Sequence, residues 1–356
     1  MAQFPDFDTA GWPEPNYESP ERRGNTMLAV NLVAASLALI TAAMRIYTRL
    51  FITRWFGADD VFIIFALIFA LSVVALFCTA TLKFGFDRHM WDLQPDLAAG
   101  TGKIVFLHNI LFVSAANATH VSWLCFYYRV VLDSDIEWFR NLLHLSVAAI
   151  MSLFIVFLSL AIRLCMPIKA MWAFPPVEDA RCLRKGQITV SGGIIKTLID
   201  FMLIALPVPL LMRLTMRTRQ RRGLLALIGL GIVVPAAGSV RIYNNYQMYF
   251  VSTDRTWVLY RAYSASALEG SLGIICACVP TLRPVLSSFL EWAFEPFSEL
   301  GRARRSDPSG STQPKLGTEE PRSPLDGRVK SMASRDPIAM IMEEDEKDGG
   351  GGMGGG

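Results

Sequence analysis

The chain has 356 residues, 52% hydrophobic and only 18% charged, where a soluble domain carries roughly a quarter charged residues. The charge is also uneven: residues 301–356 hold 9 Lys/Arg and 10 Asp/Glu, residues 1–26 hold 2 and 5, and the body from 27 to 300 holds 23 and 16, a net of +7 inside a chain of net +3. This excludes a disordered chain, a disulfide-dense secreted domain and a typical soluble enzyme, and predicts an all-α polytopic membrane protein with polar ends.

A helix that crosses a bilayer needs about 20 apolar residues. Seven stretches qualify: 27–50, ending in Arg45 and Arg49; 61–82, without a charge; 104–130, richer in polar groups; 142–162; about 190–212, closing on Pro207 and Pro209; 224–243, with Pro235 and Gly238; and about 258–280, followed by Pro280 and Pro284. The spans at 61–82 and 142–162 have no polar face, which argues against helices buried in a soluble protein. Residues 1–26 hold four prolines and no apolar h-region, so the first span is expected to act as an uncleaved anchor. The expected organisation is an extracellular segment 1–26, a seven-span bundle 27–290 and a cytoplasmic, disordered tail 291–356. From Ser306 on the tail is polar and proline-bearing, with the acidic run 343–346.

Lys and Arg divide almost evenly between the two sides of this layout, with Arg241 and Arg261 counted among the outer ones. The density decides. Arg213, Arg217, Arg219, Arg221 and Arg222 crowd one short loop with no acid among them, which places that loop in the cytoplasm and the N-terminus outside. The cluster flanks a span and lacks interleaved aromatics, so it predicts anionic head groups or a cytoplasmic signalling protein as partner, not nucleic acid.

Cys78, Cys125, Cys276 and Cys278 lie in or at the ends of apolar spans, where a thiol packs as a small hydrophobe. Cys165 and Cys182 instead bracket an outer loop containing Trp172, Phe174, Pro175 and Pro176. An oxidising exterior favours a disulfide that ties this loop over the bundle as a lid; the alternative is a surface loop with two free thiols.

Ionisable groups inside a bilayer are costly and face the bundle interior. Asn109, Asn117 and His120 fall within an arc of roughly 80° on the third span, so they either line a polar pocket or hydrogen-bond between helices. Lys196 and Asp200 stand four apart and can pair on one face, and Glu269 lies midway along the seventh span. Asp59 and Asp60 precede the second span, near Arg45, Arg49 and Arg54 in sequence. An ion-pair network is the expectation there, since no His, Asp or Glu neighbour supports a metal. No Walker loop, HExxH, GxSxG, GxGxxG or CxxC pair occurs.

Taken in order, several pieces carry a resemblance. They are Arg45-Ile-Tyr47-Thr-Arg49, then Gly57-Ala-Asp59-Asp60, the two loop cysteines, and DFMLIALP from Asp200 to Pro207. LGIVVPAAGSVR follows, ending in Arg241, and then Glu269 and CVPTLRP around Pro280. Over about 27–290 the chain resembles the fungal rhodopsin-like domain, the family of the satratoxin-cluster membrane protein and the appressorium receptor-like proteins. The resemblance implies seven transmembrane helices and a receptor-like outline in filamentous fungi, some members lying in secondary-metabolite gene clusters. It implies no catalytic residue. Residues 1–26 lack the cysteine-rich domain of many receptor-like relatives. The family name evokes retinal, but there is no lysine between Lys196 and Lys315, so the seventh span offers none for a Schiff base and no cofactor is expected. The expectation is therefore a multi-pass protein of the plasma membrane or another endomembrane, receptor-like or accessory, with an unknown apolar ligand. The alternatives are a membrane-embedded cyclase or isomerase using His120, Asn117, Asp200 and Glu269, and a small-solute transporter.

Overall fold

The computed structural model describes the backbone of residues 13–94, 97–131, 137–173, 177, 180–208, 229 and 231–303. The basic stretch 213–222 and the tail beyond 303, with its acidic run, lie outside the described residues, as do Phe174, Pro175 and Pro176. The helices are α1 (Thr26–Tyr47), α2 (Ala58–Phe84), α3 (Ala98–Val131), α4 (Glu137–Ile162), α5 (Lys185–Ala205), α6 (Val233–Tyr246) and α7 (Arg255–Ala303). The chain divides into two units, Met1–Ala43 with Gly57–Pro280, and Met44–Phe56 with Thr281–Gly356. The features below belong to the first unit unless stated.

Six of the described helices are long and apolar enough to cross a membrane: Thr26–Ile52, Ala58–Phe84, Gly100–Arg129, Glu137–Ile162, Lys185–Ala205 and Arg255–Leu282. The span expected at 224–243 falls partly outside the described residues. Its described part runs further than the hydropathy implied, through α6 and a π-helical turn to Val251. The fifth span lies earlier than expected, ending at Ala205 with Leu206 and Pro207 in a turn. The seventh does not stop at its prolines, since α7 continues to Ala303; within a bundle, neighbouring groups relieve the hydrogen bonds that proline removes.

The distribution of side chains is that of a bilayer protein. Outward positions carry large apolar groups such as Val33, Ile40, Ile68, Leu82, Leu145 and Ile155. Inward positions of α1 carry the small Ala34, Ala35, Ala38 and Ala42, which let helices approach closely. Exposed hydroxyls satisfy themselves: Ser72 Oγ donates to the Ile68 carbonyl at 2.8 Å and Thr79 Oγ1 to that of Ala75 at 2.8 Å, so no lone polar group faces lipid there. The protein is an all-α polytopic membrane protein.

Helix α2 shows how local sequence sets the boundaries. Gly57 is its N-cap, the Gly57 N–H donating to Asp60 Oδ2 at 3.1 Å. At the far end Gly85 adopts φ 65°, the left-handed conformation that closes a helix and favours glycine.

One end of the bundle gathers three connecting segments. Arg23 N–H donates to the Asp87 carbonyl at 3.1 Å and Asn16 N–H to Asp92 Oδ1 at 2.9 Å. His89 is stacked between Trp91 and Trp257, with centroids at 4.7 and 4.0 Å, and its Nδ1 meets Asp254 Oδ2 at 2.5 Å. The segment before α1, the α2–α3 connection and the α6–α7 connection are thereby joined. The α4–α5 connection forms a two-stranded hairpin, β1 (Cys165–Met166) antiparallel to β2 (Arg181–Cys182), with Cys165 opposite Cys182. These two cysteines form a disulfide. Trp172 rests on the start of α3: its ring lies 5.6 Å from that of Phe106, and a Cβ added to Gly102 would stand 2.8 Å from the Trp172 Cα, so only glycine fits.

Candidate functional site

Four helices deliver charged or titratable groups to one point in the interior. His120 comes from α3, Lys196 and Asp200 from α5, Arg241 from α6 and Glu269 from α7. His120 Nε2 lies 2.7 Å from Asp200 Oδ1, and because an ionised carboxylate only accepts, the imidazole is the donor. Lys196 Nζ donates to Asp200 Oδ2 at 2.8 Å, as the four-residue spacing predicts, and to Glu269 Oε1. Arg241 Nε donates to Glu269 Oε2 at 2.6 Å. Glu269, Arg241 and Asp200 are 1%, 4% and 5% exposed. Two cations, Lys196 and Arg241, face two carboxylates, Asp200 and Glu269, and such pairing is the condition under which buried ions are tolerable.

The backbone makes room for this chain of pairs. A Cβ on Gly238 would come within 2.8 Å of Thr197 Oγ1 and 3.2 Å of Glu269 Oε1, and one on Gly193 within 3.3 Å of Arg241 Nη1. The Arg241 guanidinium also lies over the Phe112 ring, 4.8 Å from its centroid.

Two cavities meet the cluster and share Phe112, Ala116, His120 and Lys196 as walls. The smaller continues between Trp123, Leu203 and Gly231. The larger runs toward the hairpin as far as Leu164, beside Cys165. Its walls are mostly apolar, among them Ile150, Phe154 and Phe157, with Asn109, Asn117, Arg241 and Tyr263 as polar interruptions. This is the usual make-up of a small-molecule site.

Of the residues singled out in sequence, Asn109, Asn117 and His120 all line the larger cavity. His120, Lys196, Asp200 and Glu269 are brought together, while Asn117 Nδ2 reaches only Met151 Sδ, at 3.8 Å. Arg241 corrects an expectation. It is not an outer-loop arginine, because α6 runs past it to Tyr246 and turns it onto Glu269. His108 and Tyr263 were not anticipated: both are buried, and their rings stack at 3.7 Å. Asp59 and Asp60 sit elsewhere in the same unit, at the start of α2, with Asp59 Oδ1 3.6 Å from Arg129 Nη1 and its carbonyl accepting from Ser122 Oγ at 2.7 Å. In the second unit Arg45 and Arg49 are buried and Tyr47 is exposed, its ring 5.0 Å from that of Phe51. Pro207 is buried in the turn after α5, and Pro280 lies within α7. Among the described residues no three His, Cys, Asp or Glu side chains form a metal-binding group. The basic residues 213–222 lie outside the described residues.

Membrane-crossing helices enclosing a balanced charge cluster beside an apolar cavity define a polytopic membrane protein with an internal polar site. The fungal rhodopsin domain matches residues 44–288, and the chain belongs to that family. Three relatives are named for biosynthetic gene clusters. Wortmanamides biosynthesis cluster protein C of Talaromyces wortmannii is 23% identical over 80% of this chain and 78% of its own length. Fugralins biosynthesis cluster protein 2 of Gibberella zeae is 20% identical over 76% and 68%. Satratoxin biosynthesis SC1 cluster protein 4 of Stachybotrys chartarum is 28% identical over 42% and 54%.

Proposed function

We propose that this is a receptor-like or accessory membrane protein of a filamentous fungus that binds a largely apolar metabolite inside its helix bundle, in the context of a secondary-metabolite gene cluster. The observation that carries the reading is the larger cavity, which opens onto the charge cluster and reaches the disulfide-tied hairpin. The cluster names of the relatives supply the metabolic context. Retinal is not the proposed ligand, because no lysine lies between Lys196 and Lys315. In this reading the arginines of 213–222 form the docking point for a cytoplasmic signalling protein.

The test is direct. Protein purified from fungal membranes is denatured, and the released small molecules are identified by mass spectrometry. The wild type is expected to release a compound other than bulk lipid, and Gly192→Leu to lose it, since a side chain there projects against Phe157 in the cavity wall, 3.0 Å from the new Cβ. Release of bulk lipid alone, in the same proportions from both proteins, refutes the reading.

A second reading has one observation in its favour. The His120–Asp200 pair stands where both cavities meet, placed to move a proton on a bound substrate, as in an isomerase or cyclase. Gene deletion separates the two: an accumulating intermediate supports catalysis, and an unchanged metabolite profile supports the binding role.

A further inference from the structure

Helix α6 turns two consecutive asparagines inward, and the bundle treats them differently. Asn244 and Asn245 are each 7% exposed. Asn244 Nδ2 donates to the Val240 carbonyl of its own helix at 3.0 Å. The Asn245 amide has no hydrogen-bond partner among the described residues, and it lies in the wall of the larger cavity. Its oxygen and its nitrogen both keep accessible surface, unlike Arg241 Nη2 and the Tyr263 hydroxyl, which are sealed off. The outward face of α6 is taken by Tyr243 and Tyr246, so the surface left to Asn245 is the one the cavity touches. The backbone beneath it is held on both sides. A Cβ on Gly193 would stand 3.1 Å from Ile242 Cγ1, and one on Gly186 would stand 2.9 Å from Tyr249 Cβ, so α5 packs closely on α6 before and after Asn245. A fixed donor and acceptor are thus presented side by side to a mostly apolar space, where leaving them unpaired costs stability.

Resting on the binding role proposed above, we propose that the ligand carries an amide, and that Asn245 pairs with it edge to edge: Nδ2 donates to the ligand carbonyl and Oδ1 accepts from the ligand N–H. The chemistry of the side chain selects the class. An asparagine offers an acceptor oxygen beside a donor nitrogen. A primary or cyclic amide has its own N–H and C=O on one edge and meets both at once. An ester or ketone only accepts, and leaves Oδ1 unpaired. A hydroxyl is a single atom and meets one half. A carboxylate turns a second oxygen toward Oδ1 and brings a charge, while Lys196 and Arg241 are already matched by Asp200 and Glu269.

The experiment uses three probes that share one ring system: anthracene-2-carboxamide, its methyl ester analogue and the carboxylate. Each is titrated against the full-length protein in nanodiscs, and stabilisation against heat is followed. The wild type is expected to respond to the carboxamide at a concentration about tenfold lower than to the ester, because only the carboxamide pairs both halves of Asn245, and to prefer it over the carboxylate. Asn245→Leu keeps the bulk and removes both polar atoms. It is expected to bring carboxamide and ester within about twofold of each other while leaving the empty protein at least as heat-stable as the wild type. Asn245→Ala repeats the comparison without adding a contact of its own. If Asn245 serves only the fold, both variants lose stability and keep the wild-type probe ratio, and that result overturns the proposal. Equal responses of the wild type to carboxamide and ester, as when water satisfies Asn245, or a preference for the carboxylate, also overturn it while leaving a binding role intact. Failure of every probe to stabilise the wild type removes the binding role and this inference together.

Discussion

At the scale of single residues the interior is governed by charge balance, and Glu269 is its pivot. Its two oxygens are divided between Lys196 and Arg241, so Glu269→Gln leaves two buried cations facing the single carboxylate of Asp200. Breaking a buried pair from one side costs about 3–5 kcal/mol, because the desolvated partner remains. Thermal denaturation in detergent should show that loss. The double variant Glu269→Leu with Arg241→Leu removes one charge of each sign and keeps Lys196 on Asp200, so it should recover much of it. A single variant as stable as the double one contradicts the balance argument. Part of this cluster is legible in the sequence: Lys196 and Asp200 share a helical face by their spacing, and a lone glutamate in an apolar run is conspicuous. Arg241 was not legible, because its apolar stretch reads as ending two residues later, and only the extension of α6 carries the arginine inward. Tyr263 and His108 gave no signal either, since a single aromatic with one polar atom is ordinary inside a span.

At the scale of elements, what positions the site is how closely α5, α6 and α7 approach. Gly238 on α6 faces Thr197 of α5 and Glu269 of α7, and any Cβ there enters the space of both polar groups. Gly238→Ala is therefore expected to force them aside at a cost of about 1–3 kcal/mol, the range for overpacking, read as a lowered midpoint in the same thermal assay. Gly270→Ala on α7 is the control, because its added Cβ would meet only the Ala70 Cβ, at 3.9 Å. An alanine at 238 that leaves the midpoint unmoved contradicts the tight approach. Hydropathy marked six of the described spans because bilayer thickness sets their length, whatever they pack against. It ended the seventh span at Pro280 because proline reads as a stop, whereas in a bundle neighbouring groups relieve it; it ended the sixth at 243 because Asn244 and Asn245 follow, although both are buried; and it carried the fifth past Pro207, where the helix ends at Ala205. The disulfide was legible from two loop cysteines. Its seat on α3 was not, because Gly102 carries no local sign that Trp172 will rest on it.

At the scale of the whole molecule the remaining question is which end faces the cytoplasm, and connectivity narrows it. The segment before α1, the α2–α3 connection and the α6–α7 connection are held together through Asp87, Asp92, His89 and Asp254, so an even number of crossings separates each from the next. Helices α3 and α4 separate the α2–α3 connection from the Cys165–Cys182 hairpin, which therefore lies at the same end. A disulfide persists on the oxidising side of a membrane, and a dense arginine loop stays on the cytoplasmic side. In chain order one further helix, α5, lies between the hairpin and the arginines of 213–222, so the two rules predict the same orientation, with the N-terminus outside. An epitope inserted before Thr26 is expected to be reached by antibody on intact protoplasts, and one inserted within 213–222 only after permeabilisation. If the protein resides in an internal membrane, the same pair of epitopes read by protease protection of sealed vesicles should give the same split, with the first shielded and the second cleaved. The opposite pattern would place the hairpin in the reducing cytosol, and Cys165 and Cys182 should then be alkylated as free thiols in freshly lysed cells. Protection of those two cysteines from alkylation until a reductant is added, together with a shielded N-terminal segment, is the outcome this orientation requires.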